Sequence, residues 1–269
     1  MAKVYFLGTG GDIFTVGQQI LGAGGIILEV EGNQFHIDPG PGALTRTRQV
    51  GLNPRNNTAI LVSHNHLNHC NDLNAIIAAT SHNGLDRNGV LILNKSVYSG
   101  AENGQSFLTE FHRGCIERVV VLEPGQKVGV NTIDILALPA KHNDPYAIGF
   151  KFYTDKFTLT YSGDTGYDKS LVENYKDSDV LILNVQNPSG VKHKHQLNTD
   201  DVVKIISVVK PKLTVITHFG IKMYETNPLY EARQIHRETG LHVITAKEGM
   251  VLNPVSFTSS IRQARLKLR

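Results

Sequence analysis

Three histidines lie within six residues in the segment Ser63–Asp72, whose sequence is SHNHLNHCND. The segment directly follows the apolar run TAILV, which is typical of a buried β-strand. Neutral imidazoles crowded at one strand end bring several nitrogen lone pairs together, and a divalent cation is the usual reason that a protein tolerates this. The spacing of His64, His66 and His69 therefore predicts a metal site, and the alternative is a solvated loop rich in histidine.

Three further candidate ligands lie where a predicted strand ends and a loop begins. His142 follows IDILALPAK, Asp164 follows FTLTYSG, and His218 follows KLTVIT. Strand ends are held by the sheet, whereas the loops leave side chains free to face a shared cleft. Taken singly, His142 also fits a surface loop residue, Asp164 a turn residue, and His218 a strand-end histidine bonded to the backbone. Their coincidence with the histidine cluster favours convergence on one metal site.

Short β-branched runs recur along the whole chain and alternate with amphipathic helical stretches. Tight turns are predicted at Gly32-Asn33 and at Thr154-Asp155-Lys156. The clearest helices are predicted at 70–80, 199–209 and 225–239. The second helix is expected to begin with a cap and acidic first turn at Thr199-Asp200-Asp201. Because no linker or composition break interrupts this pattern, we expect one mixed α/β domain over residues 1–269.

The composition excludes several classes of protein. A chain of 269 residues with 41% hydrophobic residues can bury a full core, and its net charge of +3 gives no strong field for nucleic acid. The basic C-terminal segment RQARLKLR is expected to be solvated, with a phosphate-contacting arm as the alternative. The glycine-rich opening GTGGDIFTVGQQILGAGG lacks a nucleotide-binding signature and is predicted to form a loop at the mouth of a site.

Cysteine content and hydropathy predict a cytoplasmic protein without a membrane partner. Cys70 and Cys115 form no disulfide framework, and neither a signal segment nor an apolar run long enough to span a bilayer is visible. Cys70 lies beside His69, but a lone cysteine in this setting is usually a small buried hydrophobic residue, so we do not count it as a ligand.

The order of the motifs FLGTGG, HIDPGPG, SHNHLNH, His142, YSGDT and THFG resembles the metallo-β-lactamase-fold hydrolases over nearly the whole chain. Within them it looks most like the ribonuclease Z branch. The resemblance implies a four-layer αββα sandwich of two mixed β-sheets flanked by helices. It also implies two divalent metal ions, usually zinc with manganese or iron as alternatives, whose shared hydroxide attacks a carbonyl or phosphoryl centre.

The resemblance also assigns the ligands of the two ions. One ion is bound by three histidines, the other by two, with a bridging aspartate between them and a supporting aspartate behind. The resemblance assigns the first ion to His64, His66 and His142, and the second ion to His69 and His218. Asp164 is the bridging aspartate, and Asp38 is the supporting aspartate.

Asn68 departs from the family motif, which has aspartate at this position as a ligand and as a partner of the attacking water. Asparagine keeps the size and one oxygen but loses the charge and the basicity. The second metal is then weakened, a different metal is preferred, or the bridging hydroxide suffices alone. A metal-binding protein without catalysis is the remaining alternative. The candidate catalytic residues are Asn68, Asp164 and His195.

The connection between His142 and Asp164 spans only 22 positions. Ribonuclease Z enzymes insert a tRNA-gripping arm there, so tRNA is not expected as a partner of this protein. The expected substrate is a small-molecule or nucleotide-type phosphodiester. A lactonase, β-lactamase-like or thioesterase acyl hydrolase is the alternative. In the segment NPSGVKHKHQLNTDD, His195 is the candidate donor to an oxyanion or phosphate oxygen, and a solvated basic loop is the alternative. Because the superfamily often forms dimers, the resemblance also allows a homodimer, with 96–113 as an interface or lid.

Overall fold

The computed structural model describes residues 2–100 and 104–258. The basic C-terminal segment and part of 96–113 therefore lie outside the described residues, and the single domain over 1–269 stays a prediction. Within 96–113, the described ends belong to short helices. None of the helices in the described ranges has the length and apolar character needed to cross a bilayer.

Two mixed β-sheets form the centre of the fold. The first contains β1 (Lys3–Phe6), β2 (Ile26–Val30), β3 (Asn33–Ile37), β4 (Asn57–Val62), β5 (Val90–Leu93), β6 (Arg118–Val121) and β15 (Val251–Leu252). Its strand order is β15-β1-β2-β3-β4-β5-β6. Neighbouring strands are antiparallel from β15 to β3 and parallel from β3 to β6.

The second sheet repeats this division into an antiparallel and a parallel half. It contains β7 (Lys127–Val130), β8 (Ile133–Pro139), β9 (Ile148–Tyr153), β10 (Thr158–Tyr161), β11 (Val180–Asn187), β12 (Leu197–Asn198), β13 (Leu213–Thr217) and β14 (Val243–Thr245). Its order is β14-β13-β11-β10-β9-β8-β7, and β12 pairs with β11 outside this path. Strands are antiparallel from β7 to β10 and parallel from β10 to β14.

Helices cover the outer faces of the sheets. They are α1 (Ile13–Gly17), α2 (Ala43–Gln49), α3 (Leu67–Cys70), α4 (Leu73–Ser81), α5 (Lys95–Ser99), α6 (Glu110–Cys115), α7 (Lys169–Val172), α8 (Thr199–Val209), α9 (Ile221–Thr226) and α10 (Pro228–Thr239). Short 3₁₀ turns occur at Pro54–Asn56, Glu173–Tyr175 and Pro254–Phe257.

The alternation of side chains along each strand creates the layers. In β4, Ala59 and Leu61 join the core between the two sheets, where Phe150 and Phe152 are also buried. Ile60 and Val62 point the other way and belong to the core beneath α4, α5 and α6. In the second sheet, β11 and β13 contribute to a third core together with α8 and α10. Burying each such side chain contributes about 1.5–3 kcal/mol, so both faces of the central strands are stabilised. The predicted αββα sandwich is confirmed.

Two of the three predicted helices are interrupted in the structure, whereas the predicted helix 199–209 matches α8. The helix predicted at 70–80 is α4 with the separate α3 before it, because the Asp72 amide donates to Pro39 O instead of continuing the helix. The helix predicted at 225–239 is divided into α9 and α10, since Asn227 has a φ of 68° and Pro228 has no amide hydrogen to donate.

Two local details also differ from the sequence predictions. The N-cap of α8 is Asn198, which accepts a hydrogen bond from the Asp201 amide, so Thr199 is already helical. The first hairpin turn consists of Glu31 and Gly32, with φ of 51° and 77°, and Asn33 begins β3. Two successive positive φ angles match the twist of the flanking strands.

Candidate metal centre

The histidine-rich loop leaves the carboxyl end of β4 and turns into α3. Asp144 fixes the start of this loop, because its buried carboxylate accepts hydrogen bonds from the Asn65 amide at 3.0 Å and the Tyr146 amide at 2.9 Å. The Ser96 hydroxyl donates to the same carboxylate. Asp144 was not a sequence candidate, and its role depends on chain segments that meet only in the fold.

Three histidines form the first histidine group: His64, His66 and His142. His142 Nε2 lies 3.1 Å from His66 Nδ1, and the ring centroids of His64 and His142 are 4.7 Å apart. His142 Nδ1 donates to the carbonyl oxygen of His195 at 3.0 Å, which leaves Nε2 as the nitrogen that faces His66. The buried His64 Nε2 has no hydrogen-bond partner among the described residues.

The second histidine group consists of His69, His218 and the amide of Asn68. His69 Nε2 lies 2.9 Å from His218 Nε2, and Asn68 Nδ2 lies 3.1 Å from the same His218 nitrogen. The Asn68 side chain therefore faces the site, as predicted from the motif. Its assignment as a catalytic residue stays a prediction.

Asp38 organises the second group from behind. It follows β3 with a φ of 53°, and its Oδ2 accepts a hydrogen bond from His69 Nδ1 at 2.9 Å. The same carboxylate accepts from the Ser63 amide, the Ser63 hydroxyl and the Tyr161 hydroxyl, each at 2.7 Å. His69 thus directs its free Nε2 towards His218, which is the arrangement expected of a supporting carboxylate. Tyr161 was not among the sequence candidates.

Asp164 lies between the two groups. Its Oδ2 is 3.9 Å from His64 Nε2, and its Oδ1 is 3.4 Å from His69 Nε2 and 3.2 Å from His218 Nε2. The structure therefore brings the five predicted histidine ligands together with the sixth predicted ligand, Asp164.

The electrostatics of the site follow from burial and from the two aspartates. Burial lowers the pKa of His218 and of His66 to about 4, so both imidazoles are neutral near pH 7. Burial also opposes charging of His69, but the carboxylates of Asp164 and Asp38 outweigh it and raise the pKa of His69 to about 10. The imidazoles of His218 and His69 hold the pKa of the buried Asp164 well below its usual range.

The donor set fits divalent cations. Ligand atoms of His64, His66 and His142 lie within 4.8 Å of one another, as do those of His64, His69 and Asp164. The unpartnered His64 Nε2 and the close approach of the His69 and His218 nitrogens are the contacts that a cation would satisfy. Imidazole nitrogens with one carboxylate are a typical zinc donor set.

The glycine-rich opening lies against the second group, but it contains the helix α1 at Ile13–Gly17 and is not the continuous loop that its sequence predicted. A Cβ at Gly11 would lie 2.1 Å from the His218 carbonyl oxygen, so only glycine fits there. A small cavity of about 30 Å³ beneath this group is lined by residues of the opening and by Asn68, His69 and His218. The opening therefore closes the site from one side.

His195 lies beside the first group rather than inside it. Its ring centroid is 6.4 Å from that of His142, and its main contact with the group is the carbonyl oxygen bonded to His142. Partial burial and the neighbouring Lys194 lower the pKa of His195. Lys192, His193 and Lys194 are exposed on the same loop. Donation from His195 to a substrate oxygen stays a prediction.

Two buried amides hold Asp164 and were missed by the sequence analysis. Asn184 Nδ2 donates to Asp164 Oδ1 at 2.7 Å, and Gln196 Nε2 donates to Asp164 Oδ2 at 2.8 Å. A polar residue within the apolar run DVLILNV was the available signal for Asn184. Gln196 gave no comparable signal.

The comparisons with known proteins agree with this fold. The family described as Beta-lactamase superfamily domain matches residues 33–219. The uncharacterized protein MJ1374 of Methanocaldococcus jannaschii is 31% identical over 250 residues, which cover 92% of this chain and 93% of that protein.

Three solved structures have the same fold. YhfI, a metallo-beta-lactamase fold protein from Bacillus subtilis, has a TM-score of 0.76 at 15% identity and covers 93% of this chain and 98% of its own. Human tRNase Z, short form (ELAC1), has a TM-score of 0.67 at 18% identity, with 93% and 98% covered. A diphosphatase from the PhnP family has a TM-score of 0.66 at 16% identity, with 94% and 98% covered.

The chain belongs to the beta-lactamase superfamily, and it has the metallo-β-lactamase fold.

Proposed function

We propose that this protein is a metal-dependent phosphodiesterase that binds two divalent ions, preferably zinc, and acts on a small or nucleotide-type substrate. The observation that carries the proposal is the single buried carboxylate of Asp164 between two groups of histidine nitrogens. Phosphoryl transfer to water is the chemistry that two adjacent cations with a common carboxylate support well.

The charge at the edge of the site supports an anionic substrate. Lys192, His193 and Lys194 are exposed on the loop whose next residue, His195, bonds the first group through its carbonyl. Lysine side chains at the mouth of a cleft raise the local concentration of phosphate esters. A neutral lactone or ester gains little from this arrangement.

The connection from the first group to Asp164 supports a small substrate over tRNA. Between His142 and Asp164 the chain forms the β9–β10 hairpin. Two of the structural neighbours are a tRNase Z and a diphosphatase. They support phosphorus chemistry for this fold, and the short hairpin favours the smaller substrate.

Each group of residues has a defined part in the proposed reaction. His64, His66 and His142 would hold one ion, His69 and His218 with Asn68 the other, and Asp164 would contact both. When bound, the ions supply Lewis-acid activation of water and of phosphoryl oxygens. Asp38 orients His69 through its Nδ1 proton. His195 donates to a non-bridging phosphate oxygen, and Asn68 hydrogen-bonds the attacking water without serving as its base.

The test is hydrolysis of bis(p-nitrophenyl) phosphate by protein saturated with zinc, manganese or iron, assayed beside an acyl lactone and a thioester. We expect phosphodiester turnover that is lost after chelation and regained with metal. Turnover of the lactone or thioester alone would contradict the phosphodiester proposal and indicate an acyl hydrolase. Metal binding without any turnover would indicate the non-catalytic alternative.

A further inference from the structure

Both oxygens of Asp164 are held by the neutral amides described above, and all three side chains are buried, with exposed fractions of 2% for Asp164, 1% for Asn184 and 7% for Gln196. We propose that Asn184 and Gln196 are positioning residues that fix each Asp164 oxygen towards one metal position. This inference rests on the metal-dependent function proposed above.

Each amide holds the oxygen that faces a different histidine group. Gln196 donates to Oδ2, the oxygen nearest His64 of the first group. Asn184 donates to Oδ1, which lies nearest His69 and His218 of the second group. Two bonds from opposite sides fix the rotation of the carboxylate about its Cβ–Cγ bond. The remaining lone pairs are thereby presented to the two groups separately.

Each amide is also connected to the histidine group that lies nearest the Asp164 oxygen to which it donates. Gln196 directly follows His195, whose carbonyl orients His142 of the first group. Asn184 also donates to the Tyr161 hydroxyl at 3.0 Å, and Tyr161 donates to Asp38, which orients His69 of the second group. Displacing one amide should therefore disturb one metal position more than the other.

The hydrogen bonds that these amides leave unmade support a functional role. Asn184 Oδ1 and Gln196 Oε1 are buried and have no hydrogen-bond partner in the described ranges. A buried acceptor without a partner destabilises the folded state and offsets part of what the donor bonds contribute, so folding stability is a weak reason for an amide at either position. The choice of a neutral donor also matters, because lysine or arginine would neutralise Asp164 and repel cations.

The test compares zinc affinity with the stability of the metal-free protein. In Gln196→Met and Asn184→Leu, competition with a chromophoric chelator should show zinc binding weakened about 10- to 100-fold. The melting temperature of the metal-free variants should fall less than that of the control variant described below, because each substitution removes an unsatisfied buried oxygen together with the donor bonds. Gln196→Ala and Asn184→Ala provide the same measurement if a larger substitution prevents folding.

The position of the loss is resolved in single-site backgrounds. His218→Ala retains the first metal position and His66→Ala retains the second. We expect Gln196→Met to weaken zinc more in the first background and Asn184→Leu more in the second. An equal loss in both would contradict the assignment of one amide to each position.

Gln34→Met is the matched control, because Gln34 is an equally buried amide that donates to Asn53 O and Asn57 Oδ1 away from the site. It should lower the melting temperature and leave zinc affinity unchanged. Zinc affinity equal to that of the wild type in Gln196→Met and Asn184→Leu would overturn the inference. It would also be overturned if zinc affinity fell but the melting temperature fell as far as in Gln34→Met. Zinc binding without phosphodiester turnover would refute only the proposed function, whereas wild-type protein that binds no metal would refute both.

Discussion

The two histidine groups are held by different chemistry. In the first, neutral acceptors orient the imidazoles, as the His195 carbonyl does for His142. In the second, the carboxylate of Asp38 orients His69, while Asn68 supplies a neutral amide where the family motif has aspartate. The second group therefore has the negative charge of Asp38 next to His69, but a neutral amide at position 68 in place of the carboxylate of the motif. We expect two metal positions of unequal affinity that depend on different residues.

Removing an imidazole from the first group should give the largest effect. In His66→Ala we expect the loss of one zinc equivalent. Turnover should fall by more than the about 10- to 100-fold that is typical when a residue hydrogen-bonded to a ligand is replaced, because here a direct ligand is removed. Elemental analysis and phosphodiester kinetics measure both. The exposed His236 on α10 provides the control, and His236→Ala should match the wild type. Full metal content in His66→Ala would remove the first group from the proposed centre.

Neutralising Asp38 should separate the two groups. Asp38→Asn keeps the shape but removes the charge that orients His69, so zinc at the second position should bind about 10- to 100-fold more weakly. The first position should be unchanged, which stepwise zinc titration measures. Asp134→Asn alters an exposed carboxylate on β8 and serves as the control. An equal loss at both positions would show that the groups are not organised independently.

Restoring a carboxylate at position 68 should make the two positions more alike. In Asn68→Asp we expect the second zinc to bind about tenfold more tightly, or ~1.4 kcal/mol, since a charged ligand replaces a neutral one. Asn68→Ala should weaken the same position. Chelator competition provides the measurement. Identical affinities in all three proteins would mean that residue 68 does not contact the metal.

The smallest effect concerns the pH dependence of the metal-free protein. The pKa of His66 is lowered to about 4, so it contributes stability above pH ~6.5 that is lost as the pH falls towards 4. The pKa of His69 is raised to about 10, so its contribution is complete below pH ~6.5 and is lost as the pH rises through 10. We expect His66→Gln to reduce the acid-side loss by about 1–2 kcal/mol, allowing for solvent screening.

His69→Gln should instead flatten the alkaline side of the same profile. Urea unfolding of chelator-treated protein at about pH 5, 7.5 and 9.5 measures both changes. If the two variants changed the profile in the same direction, this would contradict the lowered pKa of His66 and the raised pKa of His69.

The sequence correctly placed the candidate ligands at strand ends because that signal is local. A buried strand followed by a polar residue places that side chain at a sheet edge, and this applies to His64, His142, Asp164 and His218. The same local pattern predicted α8 to its boundaries. It failed at Asp72 and Asn227, where tertiary contact or a positive φ interrupts an otherwise helical run of residues.

Other parts of the site have no local signal. Tyr161 bonds Asp38 across the two sheets, and Asn184 and Gln196 meet at Asp164 from different segments of the chain. No spacing rule connects these positions, because their contacts form only when the sheets pack face to face.

The chain by itself determined the sandwich, the histidine-rich candidate metal site and the neutral residue at position 68, since each is encoded within a few neighbouring residues. Only the tertiary structure decided which nitrogen of each imidazole faces Asp164 and which amides hold its oxygens. The physical reason is that hydrogen-bond partners are selected by distances of about 3 Å between atoms that lie far apart along the chain.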